Sequence, residues 1–178
     1  MNGKISLARE LALLGALSTL WGASYSFIKV GVATIPPVTF IAGRTLIAGL
    51  LLVAILALRG IKLPTDAGAW SRFFVQACLN SVIPFTLIAW AEQSLDAGLA
   101  TILNSTSPIF AFLITAFVTR HESVTGRKLL GVVTGMIGTF LIVGSDALDG
   151  MVHQLFAQLA VIVATVCYAG AAIFGKNF

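Results

Sequence analysis

The chain has 178 residues, of which 58% are apolar and only 10% are charged, and its formal net charge is +4. Soluble domains typically carry about 25% charged and about 45–50% apolar residues, and chains this short leave much of their surface exposed. The composition therefore excludes a soluble globular domain and indicates a protein whose surface faces lipid.

Six apolar runs are long enough to cross a bilayer, whose hydrocarbon layer of about 30 Å needs roughly 20 helical residues. Helices are predicted because a segment in lipid must satisfy its backbone hydrogen bonds internally, and the runs lack the two-residue alternation of barrel strands. The predicted fold class is an all-α integral membrane protein with six transmembrane helices, at residues 11–30, 38–58, 72–91, 97–119, 128–145 and 155–175.

Basic residues indicate which side of the membrane each loop faces. If the N-terminus is cytoplasmic, every Lys and Arg except Lys29 and Arg44 falls in or beside an inner segment. Cytoplasmic loops are enriched in Lys and Arg, so the pattern predicts a cytoplasmic N-terminus and explains the positive charge without a nucleic-acid partner. The predicted outer loops instead carry Glu92, Asp96, Asp146 and Asp149.

The first span carries an aromatic and basic stripe. In "TLWGASYSFIKVGV", Trp21, Tyr25 and Lys29 follow one another at a spacing of four, which places them on one face of a helix. Lys29 lies near the predicted outer end, where a long side chain can extend to the membrane surface. The alternative is that the stripe faces a central cavity and takes part in substrate binding.

Arg44 lies about two turns into the second span. A charge at the centre of a membrane costs about 2.5–3.5 kcal/mol on insertion scales, so this arginine needs a partner. Its own helix offers no carboxylate. Two hypotheses stay open, namely a structural partner on another helix and an anionic group of a substrate.

The third and fourth spans each contain an asparagine four residues before a proline, as Asn80 with Pro84 and Asn104 with Pro108. Polar groups facing lipid are unfavourable, so the asparagines are predicted to face other helices or a wet cavity. Hydrogen bonding between helices and cavity lining are equally open. Each proline frees a backbone carbonyl and allows a helix kink.

Small residues recur in the fifth span, where Gly131 and Gly135 form a G-x-x-x-G motif that Gly138 continues, and close helix packing is predicted there. The two cysteines, Cys78 and Cys167, lack metal-ligand spacing, so no metal, other cofactor or disulfide is predicted. Phosphate-binding loops, HExxH and nucleophile-elbow motifs are missing from the sequence, so we assign no catalytic residue and expect no enzyme.

The final stretch, "TVCYAGAAIFGKNF", repeats the first span. The second copy comes five spans after the first, and since five is odd it crosses in the opposite direction, as in the inverted repeats of secondary transporters. The pattern predicts one five-helix unit followed by the first helix of a second, in an incomplete chain. The matching pairs are Trp21 with Tyr168, Phe27 with Phe174 and Lys29 with Lys176.

Three stretches carry a family resemblance: "LWGASYSFIKVG", "RTLIAGLLL" and "STSPIFAFLITAFVTRHESVTGRKLLGVVTGMIGTFLIVG". They resemble the EamA-type branch of the drug/metabolite transporter superfamily. The resemblance implies a cytoplasmic tail at 1–10, a five-helix EamA repeat at 11–145, an outer loop at 146–154 and the first helix of a second repeat at 155–178. The family's characteristic positions fall on Trp21, Gly22, Arg44, Pro108, Glu122 and Gly131.

The resemblance further implies a multi-pass permease of the bacterial cytoplasmic membrane that exports small metabolites, amino acids or drugs by alternating access. Its expected partners are the bilayer, a small-molecule substrate, and a missing second half or another copy of the chain. The alternatives are a self-contained half-size protein acting as a homo-oligomer and a non-transporting accessory membrane protein. The predicted substrate-binding residues are Trp21, Tyr25, Lys29, Arg44, Asn80 and Asn104.

Overall fold

A computed structural model describes residues 7–115, 125–143 and 154–177, and within these ranges the chain is helical and contains no β-strand. Most of the regular structure is α-helix, with a π-helical turn at Cys78–Val82 and a short 3-10 turn at Gly175–Asn177. The α-helices are α1 (Leu7–Val32), α2 (Pro37–Leu58), α3 (Ala67–Ala77), α4 (Ile83–Ala91), α5 (Ala97–Asn104), α6 (Ser107–Ile114), α7 (Gly126–Val143) and α8 (Leu155–Phe174).

Five helical segments of the described chain are long and apolar enough to cross a membrane. They are α1, α2, the third span Ala67–Ala91 formed by α3, the π-helical turn and α4, the fourth span Ala97–Ile114 formed by α5 and α6, and α8. The predicted all-α membrane fold is confirmed. The run predicted at 128–145 is helical as α7, but its crossing of the membrane stays a prediction.

Local sequence signals set the ends of the second and third spans. At the end of α2, Gly60 adopts a φ of 67°, and the N–H of Ile61 donates to the carbonyl of Leu56 at 3.0 Å. This left-handed glycine cap satisfies carbonyls that the helix end would otherwise leave unpaired. At the start of α3, the carboxylate of Asp66 accepts a hydrogen bond of 2.8 Å from the N–H of Ala69, as an N-cap residue does.

In the third and fourth spans, regular α-helix is interrupted just before each proline that was predicted to allow a kink. Pro84 lies in the first turn of α4, directly after the π-helical turn. Pro108 lies in the first turn of α6, after a break at 105–106 where the Ser105 and Thr106 hydroxyls each donate to a carbonyl three residues back at 2.6 Å. Because proline lacks an N–H and clashes with the preceding turn, regular α-helix gives way at these points.

Two clusters of buried apolar residues lie toward one end of the bundle. In one cluster, Ile28 and Val32 at the end of α1 pack with Ile41 near the start of α2 and Ala89 in α4. Gly31 allows the close approach of α1 and α2, because the ring of Phe40 occupies the space that a Cβ would fill. A second cluster joins the α4–α5 turn (residues 92–96) and its flanks to α8 through Ala91, Leu95, Leu99, Ala157, Ala160 and Val161.

These contacts fix the relative direction of the first and last described spans. The C-terminal end of α1 reaches the α4–α5 turn through Lys29, and the N-terminal end of α8 reaches the same turn through Ala157 and Val161. The two helices therefore run in opposite directions, which is the relation that an inverted repeat requires. The division of the chain into two repeats is still a prediction.

The two helices differ in how much of their surface is covered. In α8, 44% of the residues in its most apolar 18-residue stretch are buried, because α8 packs against the third and fourth spans. The corresponding fraction in α1 is 6%, and its large apolar side chains are exposed along most of its length. The last helix is thus central to the bundle, whereas the first helix lies at its periphery.

Candidate functional site

Five polar side chains from four different parts of the chain lie together near the buried end of the bundle. Tyr25 interacts electrostatically with both Tyr168 and Glu92. Lys29 interacts in the same way with Glu92, and Arg44 with Tyr168. We call these five residues the polar cluster. Its members come from α1, α2, α8 and the α4–α5 turn, so only the packing of these elements brings them together.

Lys29 connects α1 to the α4–α5 turn. Its Nζ donates to the backbone carbonyls of Glu92 and Leu95, both at 2.7 Å. The last carbonyls of a helix have no partner within it, and a cation is favourable near that negative end of the helix dipole. Lys29 is half-buried and therefore holds the end of α4 in place, rather than extending to the membrane surface.

Two members of the polar cluster were not predicted as site residues. Glu92 was assigned to an outer loop, and Tyr168 stood out only as the repeat partner of Trp21. The structure shows Glu92 0% exposed, with no hydrogen-bond partner for either carboxyl oxygen in the described part of the chain. Burial disfavours the charged form and outweighs the nearby ammonium of Lys29, so the pKa of Glu92 rises to about 8. The carboxyl group therefore retains its proton at neutral pH in this arrangement.

Arg44 packs over an aromatic ring. Its Cζ lies 4.5 Å from the ring centroid of Phe85, and that ring meets Tyr168 edge to face at a centroid distance of 6.2 Å. An arginine above an aromatic face gains about 0.5–2 kcal/mol, depending on how far it is removed from water. Among the described residues, Arg44 forms no ion pair with a carboxylate. Its structural partner is thus aromatic, and an anionic substrate group stays a hypothesis.

The other three predicted substrate-binding residues lie apart from the polar cluster. Trp21 is 70% exposed, and Asn80 is exposed in the π-helical turn. Asn104 is half-buried, and its Oδ1 has no hydrogen-bond partner in the ranges that the structure describes. Their predicted roles are not tested by this arrangement. Glu122, a position that the family resemblance singled out, lies outside the described residues.

The glycines of α7 do not pack closely within the described chain. A Cβ added at Gly131, Gly135 or Gly138 would have no atom of a neighbouring element within 4 Å. Each of these positions thus faces open space among the described residues. Their role in packing against another surface stays a prediction.

Two further features of the described chain bear on the kind of site. An apolar groove between α2 and the third span has a volume of about 560 Å³ and is lined by Val38, Leu46 and Val82 among others, but by no residue of the polar cluster. No group of three or more His, Cys, Asp or Glu residues that could hold a metal ion occurs in the described ranges. Both cysteines are free thiols.

Comparison with known proteins identifies similar membrane proteins. The model of the EamA-like transporter family matches residues 9–144. The uncharacterized transporter YoaV of Bacillus subtilis is 29% identical over 166 residues, which cover 92% of this chain and 56% of that protein. The uncharacterized inner membrane transporter YedA of Escherichia coli K12 is 28% identical over 172 residues, covering 94% and 54% respectively.

An uncharacterized transporter of Archaeoglobus fulgidus is 28% identical over 179 residues, which cover 99% of this chain and 59% of that protein. The chain thus spans a little more than half the length of these relatives. No solved structure matches the chain.

Proposed function

Because the chain belongs to the EamA-like transporter family, we propose that it forms part of an inner-membrane permease that exports small molecules bearing an anionic group. The observation that carries the proposal is the position of Arg44. Its guanidinium lies half-buried in the polar cluster without a carboxylate partner among the described residues. A cation in a membrane span is costly and commonly marks a substrate or ion pathway.

The location of the polar cluster is consistent with transport by alternating access. The cluster lies beside the contact between α4 and α8, the helix that would begin a second repeat, and α1 and α2 pack against α4 there. In transporters built from inverted repeats, the substrate site lies near the interface of the repeats and is exposed to each side in turn as they move. In this proposal Arg44 attracts the anionic group, while Tyr25 and Tyr168 offer hydroxyl groups to it.

The proposal includes a second five-helix unit that covers the exposed side of α1. Support comes from the repeat pairing of Trp21 with Tyr168, because Tyr168 packs on Phe85 whereas Trp21 is 70% exposed. If a second unit packed around α1 in the way that the first unit packs around α8, it would cover Trp21. In the alternative arrangement, another copy of the chain supplies that surface. The N-terminus is cytoplasmic in either case, as the distribution of basic residues favours.

A flux measurement tests the role of Arg44. The purified protein is reconstituted in liposomes, and efflux of radiolabelled amino acids and organic acids is compared with efflux of neutral and cationic analogues. We expect Arg44→Ala to abolish flux of the anionic compounds, whereas the matched control Arg72→Ala, at an exposed position of α3, retains it. Unchanged flux in Arg44→Ala would remove this residue from the site.

The same measurement separates the alternatives. Flux by this chain alone, together with cross-linking between copies, would favour a homo-oligomer over a permease with a covalently continuous second unit. Failure of every compound to move under conditions where the protein is folded would favour an accessory membrane protein without transport activity.

A further inference from the structure

The buried carboxyl group of Glu92 lies directly beside the contact that closes one end of the bundle. Lys29 hydrogen-bonds to the backbone carbonyl of the same glutamate, and Ala91 and Leu95 on either side of it are 0% exposed. Two helices, α1 and α8, converge on this turn. Any movement that separates α1 or α8 from the turn therefore admits water to the Glu92 carboxyl group.

Among the described residues, none of the charged or titratable groups that face Glu92 donates a hydrogen bond to its carboxyl oxygens. Tyr25 and Lys29 approach it from α1, and α8 contributes Tyr168, which interacts with Tyr25. The ammonium of Lys29 donates to two backbone carbonyls, and neither Glu92 oxygen accepts a hydrogen bond from any described residue. Asp96, on the same turn, is exposed.

Burial without a hydrogen-bond donor strongly disfavours an ionised carboxylate and is tolerated far better by the neutral acid. In water the same group has an ordinary pKa of 4.5 and is ionised at neutral pH. A turn closed over Glu92 would consequently bind one proton more at neutral pH than a turn that exposed the same group to solvent.

We propose that Glu92 is the proton-binding residue of a gate formed by α1, the α4–α5 turn and the N-terminal end of α8. When the gate opens, the carboxylic acid becomes hydrated and releases one proton to the adjacent solution. When the gate closes, the carboxylate takes up one proton and is buried as the neutral acid. This inference rests on the proposed transport function and adds to it a control of gate opening by the pH of the adjacent solution.

The predicted topology places the gate at the outer side of the membrane, so the proton is exchanged with the outer solution. One proton leaves to the outer solution on opening and one returns on closing, so a high pH outside favours the open gate.

Distance measurement between two nitroxide labels tests the gate without any substrate. The labels are attached at Ser26→Cys in α1 and Gln93→Cys in the turn, both exposed positions, with Cys78→Ser and Cys167→Ser as background, and the protein is held in lipid nanodiscs. In this parent we expect the ratio of long to short distances to rise by up to about tenfold per pH unit between about pH 5 and 8, since one proton is released on opening.

Glu92→Gln keeps the shape of the side chain but cannot release a proton, so its distance distribution is expected to stay constant over that pH range. Glu92→Asp should retain the pH dependence, and the control Asp96→Asn should behave as the parent. A parent distribution that does not change with pH would overturn the proposal, as would the same pH dependence in Glu92→Gln. A protein that shows the gate but transports nothing would contradict the proposed function alone, and flux without the gate would contradict this inference alone.

Discussion

The elevated pKa of Glu92 predicts that the folded protein loses stability as the pH rises. The folded chain binds the proton with a pKa of about 8, compared with an ordinary value of 4.5. Between these pH values the folded state holds more protons than the unfolded state, so the free energy of unfolding falls with increasing pH, by at most about 1.4 kcal/mol per pH unit. Over the whole interval the loss is at most about 5 kcal/mol.

The sign follows from the direction in which the pKa is displaced. Below about pH 4.5 Glu92 is protonated in both states and contributes no pH dependence. Above about pH 8 it is ionised in both states, and the full cost of burying the carboxylate is present. The decline therefore lies between these limits and is largest across neutral pH.

Thermal denaturation in detergent micelles from pH 5 to 9 measures the effect. We expect the melting temperature of the unmodified chain to fall towards pH 8 and then to level off. Glu92→Gln should show no such fall and should melt above the unmodified chain at pH 8, whereas Asp96→Asn, which alters an exposed carboxylate on the same turn, should follow the unmodified chain. A flat profile for the unmodified chain, or the same slope in Glu92→Gln, would refute the reasoning.

Three further predictions concern packing around the polar cluster. Lys29→Met removes two charged hydrogen bonds of about 1.5–3 kcal/mol each, so its melting temperature should fall well below that of the exposed control Lys62→Met. Gly31→Ala places a methyl group in the space of an aromatic ring of α2 and should cost about 1–3 kcal/mol, unlike Gly49→Ala, which enters open space. Phe85→Leu removes the ring below the guanidinium and should cost about 0.5–2 kcal/mol in stability.

Each of these predictions has a clear contrary result in the same melting experiment. Equal melting temperatures for the two lysine variants would mean that the bonds from Lys29 do not hold the turn. Equal effects of the two glycine substitutions would mean that the α1–α2 contact adapts without cost. For Phe85→Leu, a double-mutant cycle with Arg44→Met should give a coupling energy between the two side chains. Purely additive effects would mean that the contact contributes nothing to stability.

The family resemblance and the helical membrane fold could be read from the sequence, because both depend on local patterns. An apolar run long enough to span the bilayer predicts a helix, because its backbone hydrogen bonds must be made within the segment. The prediction does not depend on the neighbouring spans. The breaks before Pro84 and Pro108 follow equally from the covalent structure of proline. The end of α2 follows from a glycine that tolerates a positive φ.

The candidate site could be predicted only in part. Tyr25, Lys29 and Arg44 drew attention because polar groups in a span need partners, and the structure brings all three into one cluster. The partners themselves were unpredictable from spacing, since Lys29 meets a turn more than sixty residues away along the chain. Phe85 gave no signal either, because one phenylalanine in an apolar run is unremarkable until a cation lies above it.

Hydrophobicity, proline and glycine act on the residues beside them, so the lipid environment, the helical structure and the places where the helices are interrupted follow from local sequence. That Glu92 is buried rather than an exposed loop carboxylate follows from the fold alone, because burial depends on which distant helices cover a residue. At this turn α1 and α8 converge from opposite ends of the chain, and their packing removes the water that would otherwise keep the carboxylate charged.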